Sequence, residues 1–238
     1  MKPDRRIFSS VVLILAALVL LAPQAFGQQA YVSRYDAFVG YAFMDSPKVS
    51  LFEHGVNFQV GIRPRRWYSI GFDYSRDVGD LTLTPDLLTT QLQNGLAGMM
   101  QQLAAAGLLP PGYALAVKSD STTQNFALGP QLAYRHFKHV TLFIRPSIGA
   151  IYEKATPKPA DPIAKLVVAQ LTPTGTKTDW TAFYGVGGGI DFIASRHFAL
   201  RVQSDFVYDH LFNDVLKDGR YTVRFSVGPA FNFGKNVE

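Results

Sequence analysis

Apolar and polar residues alternate with a period of two along eight stretches of this 238-residue chain. That is the pattern of strands whose two faces meet different surroundings. Ala37, Val39, Tyr41 and Phe43 stand against Phe38, Gly40 and Ala42, and Val56, Phe58, Val60 and Ile62 against Asn57, Gln59, Gly61 and Arg63. Tyr68, Ile70, Phe72 and Tyr74 oppose Ser69, Gly71, Asp73 and Ser75. Four more runs lie within residues 126–135, 140–153, 180–192 and 198–209. The last is the most regular, with Tyr221, Val223, Phe225, Val227, Phe231 and Phe233 against Thr222, Arg224, Ser226, Gly228, Ala230 and Asn232. Runs of roughly 9 to 13 residues are long for a globular sheet and match a tilted strand crossing a bilayer. Pro130, Pro146 and Pro229 fall inside runs; each forfeits a ladder donor and is expected at a bulge.

The connections alternate in length. Residues 63–67, 135–139 and 194–197 make tight turns, whereas 44–55, 76–124, 154–179 and 210–220 make long loops. This predicts an all-β, eight-stranded antiparallel up-and-down transmembrane β-barrel with short periplasmic turns and long extracellular loops. One loop is expected to be helical. Thr84-Pro85 reads as an N-cap and first helical residue, Leu88, Leu92, Leu96, Met99 and Leu103 follow at three- and four-residue spacing, and Gly107 with Pro110-Pro111 ends the run. A second, shorter helix is expected at 163–171, after Pro162.

Alternation leaves open which face is outside, since a soluble lipocalin-like barrel shares the period. Lysine placement separates the two. The ten Lys residues lie in the first residues, turns, loops or termini, outside the middle of every run. The polar face instead carries Arg63, Asp73, Arg135, Arg145, Glu153, Asp191, Arg201, Asp205, Asp209 and Arg224. Arg suits packed bidentate ion pairs, so these residues are expected to form an ion-pair network inside the barrel. Gly and Ala crowd the same face, as a narrow interior requires. Aromatics gather toward both ends of the apolar face, like the interfacial girdles of a membrane barrel.

The N-terminus agrees with export. Lys2, Arg5 and Arg6 precede the apolar run 11–22, and Ala25-Phe26-Gly27 offers a cleavage site, the three-part pattern of a signal peptide. Twelve apolar residues are short for a spanning helix. The expected division is a signal peptide over 1–27 and one barrel domain over 28–238, with no further domain. Removing Lys2, Arg5, Arg6 and Asp4 lowers the formal charge from +5 to +3, too small and dispersed for a nucleic-acid partner. The chain has no Cys, which excludes disulfides and thiolate metal sites.

These residues resemble the small outer-membrane β-barrel family, the OmpA/OmpX-like group, over nearly all of 35–234. The resemblance rests on Val39-Gly40-Tyr41, Arg63-Pro64-Arg65-Arg66-Trp67, Leu128-Gly129-Pro130, Gly187-Gly188-Gly189-Ile190-Asp191 and Phe231-Asn232-Phe233-Gly234. It implies outer-membrane lipid as surroundings and insertion by the outer-membrane assembly machinery, which reads an aromatic-ended last strand.

Candidate chemistry adds little. By depth, Asp36, Arg63, Arg135, Arg145, Asp191 and Arg201 fall in the periplasmic half, four Arg against two Asp, net +2. Asp73, Glu153, Asp205, Asp209 and Arg224 fall in the outer half, net −3. His54 and His210 lie near the outer rim beside Glu53 and Asp209, without a Ser at catalytic spacing. No spacing suggests a metal site, and Gly187-Gly188-Gly189 opens no helix, so it is not a phosphate loop. No cofactor is expected. An apolar helical stripe outside the membrane must be covered, so Leu88, Leu92, Leu96, Met99 and Leu103 either cap the barrel, lie on the leaflet or meet an extracellular partner. The sequence therefore reads as a non-enzymatic barrel serving envelope integrity or surface interaction through its loops. The alternatives are a narrow gated diffusion channel and a lipid-modifying enzyme.

Overall fold

Eight strands follow the eight alternating runs in the computed structural model, which describes residues 29–237; the leader expected over 1–27 lies outside them. They are β1 (Ser33–Ser46), β2 (Leu51–Arg65), β3 (Tyr68–Leu83), β4 (Val117–Tyr134), β5 (Val140–Lys158), β6 (Lys177–Ile193), β7 (Phe198–Asp209) and β8 (Arg220–Asn236). Each pairs antiparallel with the next, and β8 returns to β1 to close the barrel, with Phe38 opposite Ala230. Closure satisfies every edge, which a sheet in lipid requires.

The strands outrun the apolar alternation. β4 has 18 residues and β5 has 19, against the roughly 9 to 11 that cross a bilayer. β3 and β4 stay in register out to Leu83 opposite Val117, well into the stretch expected to be loop. Past Arg76 and Gln124 the outward positions are Val78, Asp80, Thr122, Asp120 and Lys118, polar but for Val78, because water rather than lipid covers that part. The ladder continues while the apolar signal stops. Lys118, Lys154, Lys158 and Lys177 thus sit on strands, in these outer extensions.

Residues facing inward are buried and mostly polar, Asn57, Asp73, Thr123 and Arg145 among them. Val60, Tyr184 and Ile148 face outward and are 56%, 62% and 68% exposed. A barrel in water would carry the reverse arrangement; lipid covers this apolar surface. Two aromatic belts rim it. Tyr74, Phe126, Trp180 and Tyr152 stack in sequence toward the long-loop end, as do Tyr184, Tyr208 and Tyr221. Tyr35 with Phe233 and Phe198 with Phe231 pack at the short-turn end, the periplasmic end in barrels of this type.

The prolines do not mark bulges. Pro130 keeps its place opposite Ile70, and the β4–β5 register is unchanged from Leu128↔Ile148 to Leu132↔Ile144, which sets Pro130 against Pro146. β1 and β8 likewise keep register across Pro229. Each ring projects outward, so the missing donor leaves a local gap in the ladder without an inserted residue. The register shifts fall at Ser33/Tyr35 and Ile62/Arg65, at the rim where the turns begin.

Candidate functional site: the lumen and its outer cap

The inward side chains stack in three polar layers under an apolar cap. At the periplasmic end Arg201 is bidentate on Asp191, at 2.7 and 3.0 Å, and reaches Asp36 at 3.2 Å. Its guanidinium lies between the rings of Phe38 and Phe143, 5.5 and 5.0 Å from their centroids, so the cation is held by carboxylates and ring faces together. Arg63 approaches Asp36 at 3.3 Å and donates to the Ser33 carbonyl and the Asn232 side chain. Arg135 faces the same end but has no carboxylate partner among the described residues; it donates to the Arg66 carbonyl and to Thr141.

The middle layer is a ring of alternating charge. Arg145 reaches Asp73 at 3.2 Å and Asp205 at 3.0 Å, and Arg224 reaches the same two carboxylates at 2.8 Å each. Asn57 and Gln59 donate to Asp73. Gly187 makes the ring possible, because a Cβ there would stand 2.0 Å from Asp205 Oδ1. A cavity beside the ring, between Met44, Asn125, Phe183 and Arg224, measures only ≈ 10 Å³. That is at or below the space one water needs.

The outer layer is acidic. Arg220 bonds Asp209 at 3.1 Å and also Glu153. Glu53 accepts from Thr123 at 3.0 Å and Asp77 from Ser75 at 2.8 Å.

Above it lies the cap. Val49, Leu51, Leu81, Leu211, Phe212, Val215 and Leu216 form a buried apolar cluster with Leu87 and Leu88, which continues through Ile151 and Met44 down to the middle ring. It is built from strand tips and three loops, and helix α1 (Thr90–Ala105) rests on it through Leu92 and Leu96.

Several sequence expectations need revision. Arg145 does not belong to the periplasmic half, since its long side chain joins Asp73, Asp205 and Arg224 in a ring of formal charge zero. The outer excess of acid rests instead on Glu53, Asp77, Glu153 and Asp209 against Arg220. Glu53, Asp77 and Arg220 fall in stretches expected to be loop, yet each lies on a strand and keeps inward parity with Asn57, Asp73 and Arg224. Following the period of two past the end of the apolar signal would have found them. Parity also separates the histidines from their neighbours. Glu53 points inward, whereas His54 lies outside against the Tyr41 hydroxyl at 2.8 Å; Asp209 is buried while His210 is exposed beside Tyr208. The helix begins later than expected. Residues 85–87 form a 3-10 turn and α1 starts at Thr90, because Leu88 is extended and bridges Leu216. Leu88 is buried and so leaves the candidate interaction surface; Met99 and Leu103 are half-buried. Helix α2 (Pro162–Leu171) takes its N-cap from Asp161, which accepts from the Ala164 amide at 2.8 Å.

Eight antiparallel strands closed around an ion-paired lumen, with an apolar belt outside, define the class: a small transmembrane β-barrel of the bacterial outer-membrane type. The chain is similar to solved barrel structures. Neisserial surface protein A superposes with a TM-score of 0.52 at 11% identity, over 84% of this chain and 96% of that one. The attachment invasion locus protein Ail of Yersinia pestis, in complex with the heparin analogue sucrose octasulfate, gives 0.48 at 13%, over 85% and 99%. The outer membrane protein OprG of Pseudomonas aeruginosa gives 0.47 at 8%, over 87% and 99%. No family model matches the chain, and no curated protein matches it in sequence.

Proposed function

We propose that this protein is a non-enzymatic outer-membrane barrel with a closed lumen, serving the envelope or its outer surface through its long loops. The middle ring carries the reading. Two arginines and two aspartates meet across the lumen at 2.8 to 3.2 Å, and an apolar cluster covers the outer mouth. A solute would have to break a desolvated ring of four charges and then lift the cap. The part open to solvent is the array of hairpin tips, α1 and α2, carried on a rigid base, where binding commonly resides. Neisserial surface protein A, of the same fold, is as its name says a surface protein, which agrees with this reading.

Reconstitution in planar bilayers tests it. The expected record is a silent membrane at moderate voltage, and Arg224→Ala is expected to introduce openings. Stable conductance from the unaltered protein would instead establish a gated diffusion channel.

A further inference from the structure

At the periplasmic mouth the lumen opens into a cavity of ≈ 220 Å³, whose wall includes Ser33, Arg63, Arg135, Lys138, His139 and Arg196. Asp191 also lines it but is already bidentate on Arg201. Asp36 is engaged by both Arg63 and Arg201. Arg135, Lys138 and Arg196 have no carboxylate partner among the described residues, and they come from two different turns, 135–139 and 194–197.

Two buried groups on the wall have hydrogen-bonding capacity to spare. Arg63 is 2% exposed; its Nη2 meets Asp36 at 3.3 Å without good hydrogen-bond geometry, and its Nε has no hydrogen bond. Ser33, also 2% exposed, has an unpartnered hydroxyl. Buried donors normally find an acceptor, and a guanidinium left short of one loses a charge-assisted bond. Burial and the neighbouring Arg63 push the Arg135 guanidinium down to about 10, with Asp191 and Asp36 acting in the other direction, so at neutral pH it stays charged.

We propose that this vestibule is a binding site for a phosphate-type oxyanion. A carboxylate offers two acceptor atoms in one plane. The donors here line the vestibule from β1, β2 and two turns, and three cations have no carboxylate in contact, which suits a tetrahedral oxyanion. Such a group reaches the mouth either as free phosphate in the periplasm or as the headgroup phosphate of an inner-leaflet lipid.

Calorimetric titration of the purified barrel in a non-ionic detergent with inorganic phosphate tests this. Saturable binding is expected, about tenfold or more weaker in Arg135→Gln and in Arg196→Gln, for the loss of one charge-assisted bond. It should be unchanged in Lys165→Gln, on α2 at the opposite end. Arg196 is exposed, so its variant leaves folding intact, which heat-modifiable migration would verify. Failure to saturate, an equal response to chloride, or indifference to Arg196→Gln would overturn the proposal. Repeating the titration in vesicles identifies the source. Phosphate binding seen in detergent but lost in vesicles of either phosphatidylglycerol or phosphatidylcholine, which share the phosphodiester, indicates the lipid headgroup, and binding kept in both indicates the free anion.

Discussion

Leu88 and Leu216 form an isolated antiparallel bridge across the outer mouth of the barrel. Thr89 donates to the Val215 carbonyl at 2.8 Å and Lys217 to the Leu87 carbonyl at 2.9 Å, so the second and fourth loops are stitched together over the lumen. Leu88→Asp would bury a carboxylate in the apolar cluster and should release α1 while leaving the barrel intact. Chymotrypsin should then cut within residues 84–116 on the order of tenfold faster, for docking weakened by about 1.4 kcal/mol. An unchanged cleavage rate would mean that the loops hold by other contacts.

The ring of Arg145, Asp73, Arg224 and Asp205 should behave as a unit. Arg224→Met leaves two carboxylates on Arg145 and should cost about 3–5 kcal/mol, the usual loss when one member of a buried charged group is removed. Adding Asp205→Leu leaves the neutral pair Arg145–Asp73 and should recover a good part of that loss. Urea unfolding in lipid vesicles, read as a double-mutant cycle, gives the coupling directly; additive losses would contradict the ring.

The lipid-facing assignment is open to a single substitution. Ile148, 68% exposed on the outward face of β5, should tolerate Arg poorly, at a cost of about 2–4 kcal/mol near mid-bilayer. Lys154→Ala, farther along the same face, should change the same unfolding midpoint very little.

Asp161 ties two loops together, capping α2 and accepting from the Tyr113 hydroxyl at 3.0 Å. The Ala164 amide, with the Tyr113 hydroxyl adding to it, holds this carboxyl below the ordinary carboxylate range. Burial, and then the bond to Asp161, raise Tyr113. A lowered folded-state pKa means that the tether contributes fully above the ordinary Asp value of about 3.9 and is lost as pH falls through the lowered value. Tether strength should thus be constant from neutral pH to about pH 5 and decline only in stronger acid. Asp161→Asn should bring the Tyr113 titration back toward 10, followed by carbon NMR of the labelled ring. A Tyr113 titration that does not move would dissociate the two residues.

Much of the architecture was legible along the chain because a barrel wall is a local, periodic object. Tyr221 to Phe233 alternate in the sequence as they do in space, and the absence of Lys from mid-strand told which face meets lipid. The helical stripe from Leu92 onward was visible for the same reason. Its start was not, because a bridge to Leu216, more than a hundred residues away, overrides the Thr84-Pro85 signal. Glu53, Asp77 and Arg220 escaped because the apolar half of the alternation ends where the wall leaves the membrane, although the ladder goes on.

The eight strands, their antiparallel order, the polar lining and the apolar exterior all follow from a period of two and the spacing of turns. Which side chains meet across the lumen is set by closure of the barrel. Arg145 finds Asp73, 72 residues away, because closure brings opposite walls within reach of a long guanidinium, and no local pattern encodes that distance. The cap and the basic periplasmic vestibule have the same origin. Each is assembled from segments that are neighbours only once β8 has paired with β1.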